Sequence, residues 1–124
     1  MSKKIIIYDD DMDLLEVCAL ILTAKNFEVV IRDKCTEIID DIATHKPDVI
    51  LMDNWIPDIG GVKATRLVKN SQEFNHIPVI FFTANNNVTE LAEEAGADYS
   101  LQKPFDISEL ETIVTQAVSK SGGR

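Results

Sequence analysis

The chain has 124 residues, is 45% hydrophobic and 27% charged, and carries a formal net charge of −9. That length suffices for one domain with a real core, and the acidic balance excludes a domain that grips nucleic-acid backbone through a positive surface. Cys18 and Cys35 form no CxxC or Cys/His cluster that would suggest zinc or dithiol chemistry. No apolar run approaches the roughly 18 residues of a membrane span, and Met1-Ser2-Lys3-Lys4 is followed by too few apolar residues for a signal peptide, so a cytoplasmic protein is expected.

Strand-like and helix-like segments alternate along the chain. A short apolar strand is expected over Lys4–Tyr8. Asp11 then serves as N-cap of a helix whose stripe is Leu14, Val17, Cys18, Ile21 and Leu22. Strand Phe27–Ile31 leads to a shorter helix marked by Ile38, Ile39 and Ile42. Strand Asp48–Met52 leads to a less regular helix marked by Val62, Leu67 and Val68. Strand Val79–Phe82 precedes a helix carrying Val88, Leu91, Ala92 and Ala95, opened by an Asn87/Glu90 capping box and ended by Gly96. After strand Tyr99–Leu101, Asp106 and Glu109 open a last helix with the stripe Ile107, Leu110, Ile113, Val114 and Ala117. From Ser119 onward the chain reads as a frayed end. The domain is placed at residues 1–120 and a flexible tail at residues 121–124. His45 and His76 are expected in exposed loops.

Strand–helix alternation with strands rich in Val, Ile and Phe predicts right-handed crossovers and a parallel sheet covered on both faces. Five such units fit an α/β, doubly wound, flavodoxin-like (βα)5 fold of strand order 2-1-3-4-5. That order has a functional consequence. Asp9, Asp10, Asp53, Thr83 and Lys103 each stand at the end of a strand-like run. Parallel strands bring such ends to one edge of the sheet, where open α/β folds bind ligands.

Three carboxylates in one place repel one another unless a proton or a cation intervenes. A hard cation with oxygen ligands fits, and magnesium is usually held by one or two carboxylates plus a phosphoryl oxygen. Neither GxxxxGK[ST] nor GxGxxG occurs in the sequence, so nothing in it is built to hold a nucleotide. A carboxylate can itself be the nucleophile and form an aspartyl-phosphate. Lys103 is then placed to neutralise one phosphoryl oxygen and the Thr83 hydroxyl to hydrogen-bond another.

Four segments in this order resemble the receiver domain of two-component response regulators, of the CheY-like kind. They are Ile7-Tyr8-Asp9-Asp10-Asp11, Asp48 through Gly61, Pro78 through Ala84, and Gly96-Ala97-Asp98 through Lys103-Pro104-Phe105. The resemblance implies a phospho-acceptor switch rather than an enzyme. Asp53 would take a phosphoryl group from the phosphohistidine of a sensor histidine kinase or histidine phosphotransfer protein. Asp10 and Asp53 would hold Mg2+ with the backbone carbonyl of Trp55, and Asp9 would support the metal through water. Thr83 and Lys103 would bind the phosphoryl group, and the Lys103-Pro104 bond would be cis. Output, to a downstream protein or domain or to a second copy, would use the face of the fourth helix, fifth strand and fifth helix. Asn85, two residues past Thr83, would tune the access of water to the phosphoryl group.

Three positions depart from the family pattern. Trp55 stands where a smaller side chain is common, and its ring is expected to shield the aspartyl-phosphate. Ser100 stands where an aromatic reporter is common, with Tyr99 placed on the opposite sheet face by strand alternation. Gly60 replaces an acid or amide, and the pair Gly60-Gly61 is expected to loosen its loop. Two other functions compete with the switch. One is a pseudo-receiver that binds partners without being phosphorylated. The other is a small phosphohydrolase built on the DxD of Asp11-Met12-Asp13.

Overall fold

The computed structural model describes residues 3–56, 59–84 and 86–122. Five strands alternate with five helices: β1 (Lys3–Tyr8), α1 (Met12–Thr23), β2 (Phe27–Arg32), α2 (Ile38–His45), β3 (Val49–Asp53), α3 (Gly61–Lys69), β4 (Val79–Thr83), α4 (Val88–Ala95), β5 (Tyr99–Gln102) and α5 (Ile107–Gly122). The sheet is parallel throughout, with order β2-β1-β3-β4-β5, as expected. β3 and β4 run one residue further than the apolar pattern suggests. Asp53 and Thr83 are therefore the last residues of their strands and are held in the ladder.

Alternation along the central strands divides the core in two. Ile6, Tyr8, Ile50, Met52, Val79 and Phe81 face α2, α3 and α4. Ile5, Ile7, Leu51, Ile80, Phe82 and Leu101 face α1 and α5. Tyr99 packs into this second layer, while Ser100 pairs in register with Phe81 of the first. The expected separation of those two side chains therefore holds. Burial of residues 5–8 of β1 and of all of β3 and β4 on both faces explains why those stretches are nearly unbroken apolar runs.

The helix boundaries follow local chemistry. Asp11 caps α1, its Oδ1 accepting from the Leu14 N–H at 3.2 Å. Asp106 and Glu109 exchange the two bonds of a capping box at the start of α5, at 2.7 and 3.0 Å. Gly96 ends α4 in the left-handed region at φ 83°. Asn87 makes no side-chain cap bond, so the capping box expected there does not form. α5 continues through Gly122, into the stretch expected to be frayed, while Gly123 and Arg124 lie outside the described residues.

Burial on α1 is rotated from the expected stripe. Leu15, Cys18 and Leu22 are buried, while Val17 and Leu20 are exposed. A helix with Leu14, Leu15, Val17, Cys18, Leu20, Ile21 and Leu22 offers several candidate stripes, and the sheet chooses among them. Leu67 of α3 is likewise exposed, and that helix buries Ala64, Thr65 and Val68. His45 ends α2 half-buried instead of lying in a loop, its Nε2 at 3.2 Å from a guanidinium nitrogen of Arg32. His76 is exposed, as expected.

Candidate functional site

The order β2-β1-β3-β4-β5 puts the C-terminal ends of β1 and β3 side by side, and those of β4 and β5 next to them. Asp9 follows β1, its N–H bonded to the Arg32 carbonyl at 3.1 Å. Asp53 closes β3. Both are almost wholly buried, at 1% and 3% exposure, whereas Asp10 is exposed at the rim. One carboxylate oxygen from each of Asp9, Asp10 and Asp53 lies within 4.8 Å of the others.

Lys103, one residue past β5, reaches into this group. Its Nζ donates to Asp9 Oδ2 at 2.6 Å and to Asp53 Oδ1 at 3.1 Å. The remaining oxygens are also engaged. Asp9 Oδ1 accepts the Asp11 N–H at 3.0 Å and Asp53 Oδ2 accepts the Trp55 N–H at 3.1 Å. Lys103 is followed by a cis bond to Pro104, as the sequence resemblance implied. Its N–H bonds the Thr83 carbonyl at 2.9 Å, extending the β4–β5 ladder to the residue that bears the ammonium.

One ammonium does not balance three carboxylates. Burial, and then the charge of Asp9, push the Asp53 carboxyl up from 3.8 to about 6, against the lowering effect of Lys103. Burial pulls the Lys103 ammonium down, but its hydrogen bond to Asp9 and the charges of Asp53 and Asp9 outweigh this and raise it. The pocket is thus short of positive charge. A set of oxygen donors with surplus negative charge can hold a hard divalent cation.

Thr83 ends β4 fully buried, and its Oγ1 has no hydrogen-bond partner among the described residues. Thr65 Oγ1 on α3 shares that property, but only Thr83 stands at the strand edge beside the acids. A buried hydroxyl left unpaired costs about 1–3 kcal/mol, so an incoming acceptor oxygen would be favoured there.

Other expectations fare differently. The Trp55 ring is 67% exposed, which argues against the shielding expected of it; its contact with Asp53 is made by the backbone. Asp11 is committed to capping α1, which leaves the DxD reading without its first acid. Asn85, like Pro57 and Asp58, lies outside the described residues. The second glycine of the Gly60-Gly61 pair also meets a packing demand. Gly61 opens α3 pressed against the end of β3, where a Cβ would fall 1.9 Å from the Asp53 carbonyl oxygen. The Gly61 N–H also bonds the Asn54 carbonyl at 3.1 Å. The glycine was visible in the sequence, but a close approach across two elements was not.

The profile of the response regulator receiver domain family matches residues 5–115. The chain is 32% identical over 108 residues to the CAI-1 autoinducer sensor kinase/phosphatase CqsS of Vibrio cholerae, covering 85% of this chain and 16% of that protein. It is 29% identical over 116 residues to the polar-differentiation response regulator DivK of Brucella ovis, covering 91% and 94% of the two chains. The crystal structure of a CheY-like response regulator receiver domain protein from Methanospirillum hungatei superposes with a TM-score of 0.88 at 22% identity, covering 99% and 98%, and bears out the fold. With the family profile spanning nearly the whole sheet and its helices, this chain belongs to the response regulator receiver domain family.

Proposed function

We propose that this domain is a phospho-acceptor switch in a two-component phosphorelay, with Asp53 as the acceptor of a phosphoryl group from a phosphohistidine. The observation that carries this reading is the Asp53 carboxylate itself. It is buried at the sheet edge, with one oxygen on Lys103, the other on the Trp55 N–H, and two further carboxylates beside it.

In the transfer, an Asp53 oxygen attacks phosphorus as the bond from phosphorus to the imidazole nitrogen breaks, and the imidazole leaves. Positioning and charge neutralisation dominate such a step. Lys103 neutralises one phosphoryl oxygen, and Thr83 Oγ1 donates to another and so gains a partner it lacks among the described residues. Asp10 and Asp53, with the Trp55 carbonyl, would hold Mg2+, and Asp9 would support it. When bound, the metal would offset charge on the phosphoryl oxygens.

A protein phosphodonor has to dock over this edge. α1 exposes Met12, Val17 and Leu20, and α5 begins with exposed Ile107. Val17, Ile107 and Phe105 line an apolar groove whose wall also includes Lys103. We assign the kinase or phosphotransfer helix to this groove. Val17→Asp should slow transfer from a phosphohistidine protein that phosphorylates the wild-type chain by about 10-fold, a typical loss for an interface anchor. The rate with a small phosphodonor should not change. Equal slowing with both donors would place the defect in the pocket instead.

Output is assigned to the face of α4, β5 and α5, including any pairing with a second copy. With Ser100 replacing the aromatic reporter, the link from Thr83 to that face runs through the joined ends of β4 and β5. Gln102 Nε2 meets Asn86 Oδ1 there at 3.3 Å.

The decisive test is intact mass after incubation with Mg2+ and a small phosphodonor. One phosphoryl adduct is expected on the wild type, absent without Mg2+ and absent in Asp53→Asn. If only a protein donor gives the adduct, the switch still stands. No adduct with either donor class would make this a pseudo-receiver.

A further inference from the structure

Phe82 is fully buried one residue before Thr83, and its side chain faces α1 and α5, the layer above which Lys103 returns. The Lys103 Nζ lies 4.6 Å from the centroid of the Phe82 ring while touching Asp9 and Asp53. Phe105, two residues past Lys103, packs on the same ring, with centroids 6.1 Å apart and planes tilted by 42°. The ammonium thus has carboxylates as hydrogen-bond acceptors and the ring as a further electronegative surface.

We propose that Phe82 is a positioning residue: its π face is the platform that holds the Lys103 ammonium at the acid cluster, with Phe105 bracing the ring. A lysine carries its ammonium on a flexible stem of about four carbons and can swing its charge into water. Two carboxylates attract the ammonium, but they change in use, because Asp53 is the group to be modified. The ring does not change. It attracts a cation through its quadrupole and takes up no hydrogen bond, so Lys103 keeps its place while its partners are exchanged. An aliphatic residue of similar bulk would fill the same core space without that attraction. This makes the platform distinct from ordinary packing. The functional half of the proposal rests on the assignment of Lys103 to the phosphoryl group.

The test replaces Phe82 with mono-, di- and trifluorinated phenylalanine, which drain the π face at nearly constant size. The rate of Mg2+-dependent phosphorylation of Asp53 by a small phosphodonor should fall stepwise, by about 5-fold at the trifluorinated ring. Order of the Lys103 ε-methylene in the unmodified protein, read from NMR relaxation, should fall in the same sequence. Phe82→Leu should resemble the trifluorinated protein in Lys103 order, and thermal melting of each variant tracks folding separately. Flat behaviour of both readouts across the fluorinated series would overturn the proposal and leave Phe82 as core filling. Failure of the wild type to accept phosphate would instead count against the phospho-acceptor reading. The relaxation series would still decide whether the ring holds the ammonium.

Discussion

Asp53→Asn should unfold at higher denaturant concentration than the wild type in metal-free buffer at pH 7, by about 1–2 kcal/mol, although it removes the proposed phosphorylation site. The reason is linkage. The folded chain holds the Asp53 proton more tightly than the unfolded chain, with the carboxyl raised from 3.8 to about 6. A raised carboxyl favours the fold while it is protonated. That advantage is lost as pH rises from about 4 through about 6, and above this window the fold bears the cost of a buried charge beside Asp9. A shift of this size corresponds to roughly 3 kcal/mol at most. The amide retains only one of the two bonds that the carboxylate makes to Lys103 and the Trp55 N–H, which offsets part of the gain. The difference between the two proteins should vanish near pH 4. Mg2+ should reverse the order, because ligand that binds the folded state stabilises it by mass action and the variant offers a neutral amide oxygen in place of the central carboxylate. Denaturation curves from pH 4 to 8, with and without Mg2+, check each point. A variant less stable than wild type at every pH would mean that Asp53 is stabilised as a charge by Lys103.

The second large effect is expected at Gly61→Ala. A methyl group there would lie 1.9 Å from the Asp53 carbonyl oxygen, 2.8 Å from its carbon and 3.0 Å from Asn54 Cα. All three are backbone atoms, so no rotamer change relieves the overlap. Alanine is the better helix former by about 1 kcal/mol, but overpacking against fixed backbone costs more, and a net loss of about 3 kcal/mol is expected. Strain is not the only consequence. Either α3 moves out or the end of β3 moves, and the second displaces the Asp53 carboxylate, the proposed acceptor. Misplacement by about 1 Å can cost about 100-fold in rate, so phosphorylation of the folded fraction should fall well beyond the loss of stability. Gly96→Ala is the control. Its φ of 83° disfavours alanine by about 1 kcal/mol, but the nearest atoms to a new Cβ are Lys69 side-chain carbons at 3.8 Å. It should cost stability and leave Asp53 phosphorylation unchanged. Stability by denaturation and adduct formation by mass spectrometry separate the two positions.

The architecture and the acid cluster were legible because they depend on patterns that survive in one dimension. Strands buried on both faces need apolar runs, and Ile5–Tyr8, Val49–Met52 and Val79–Phe82 supply them. Alternation of strand and helix then leaves few topologies, and in the observed one the ends of those runs share an edge. The positions of Asp9, Asp53, Thr83 and Lys103 follow from chain order alone.

Tertiary packing decided what depends on facing partners. The sequence of α1 is apolar on too many sides to say that Leu15 faces the sheet while Val17 and Leu20 face water. Asn87 has the composition of a capping box without its bond, whereas Asp106 forms one, because side-chain geometry at a helix start depends on the arriving loop. The ring of Phe82 beneath Lys103 and the contact of Gly61 with the end of β3 join residues from different elements. Sequence by itself determined which groups meet at the sheet edge, because the period of a strand and the direction of a parallel crossover are properties of the chain. Only the tertiary structure decided how closely they meet and what supports them, because distance, burial and charge balance are properties of the space between elements.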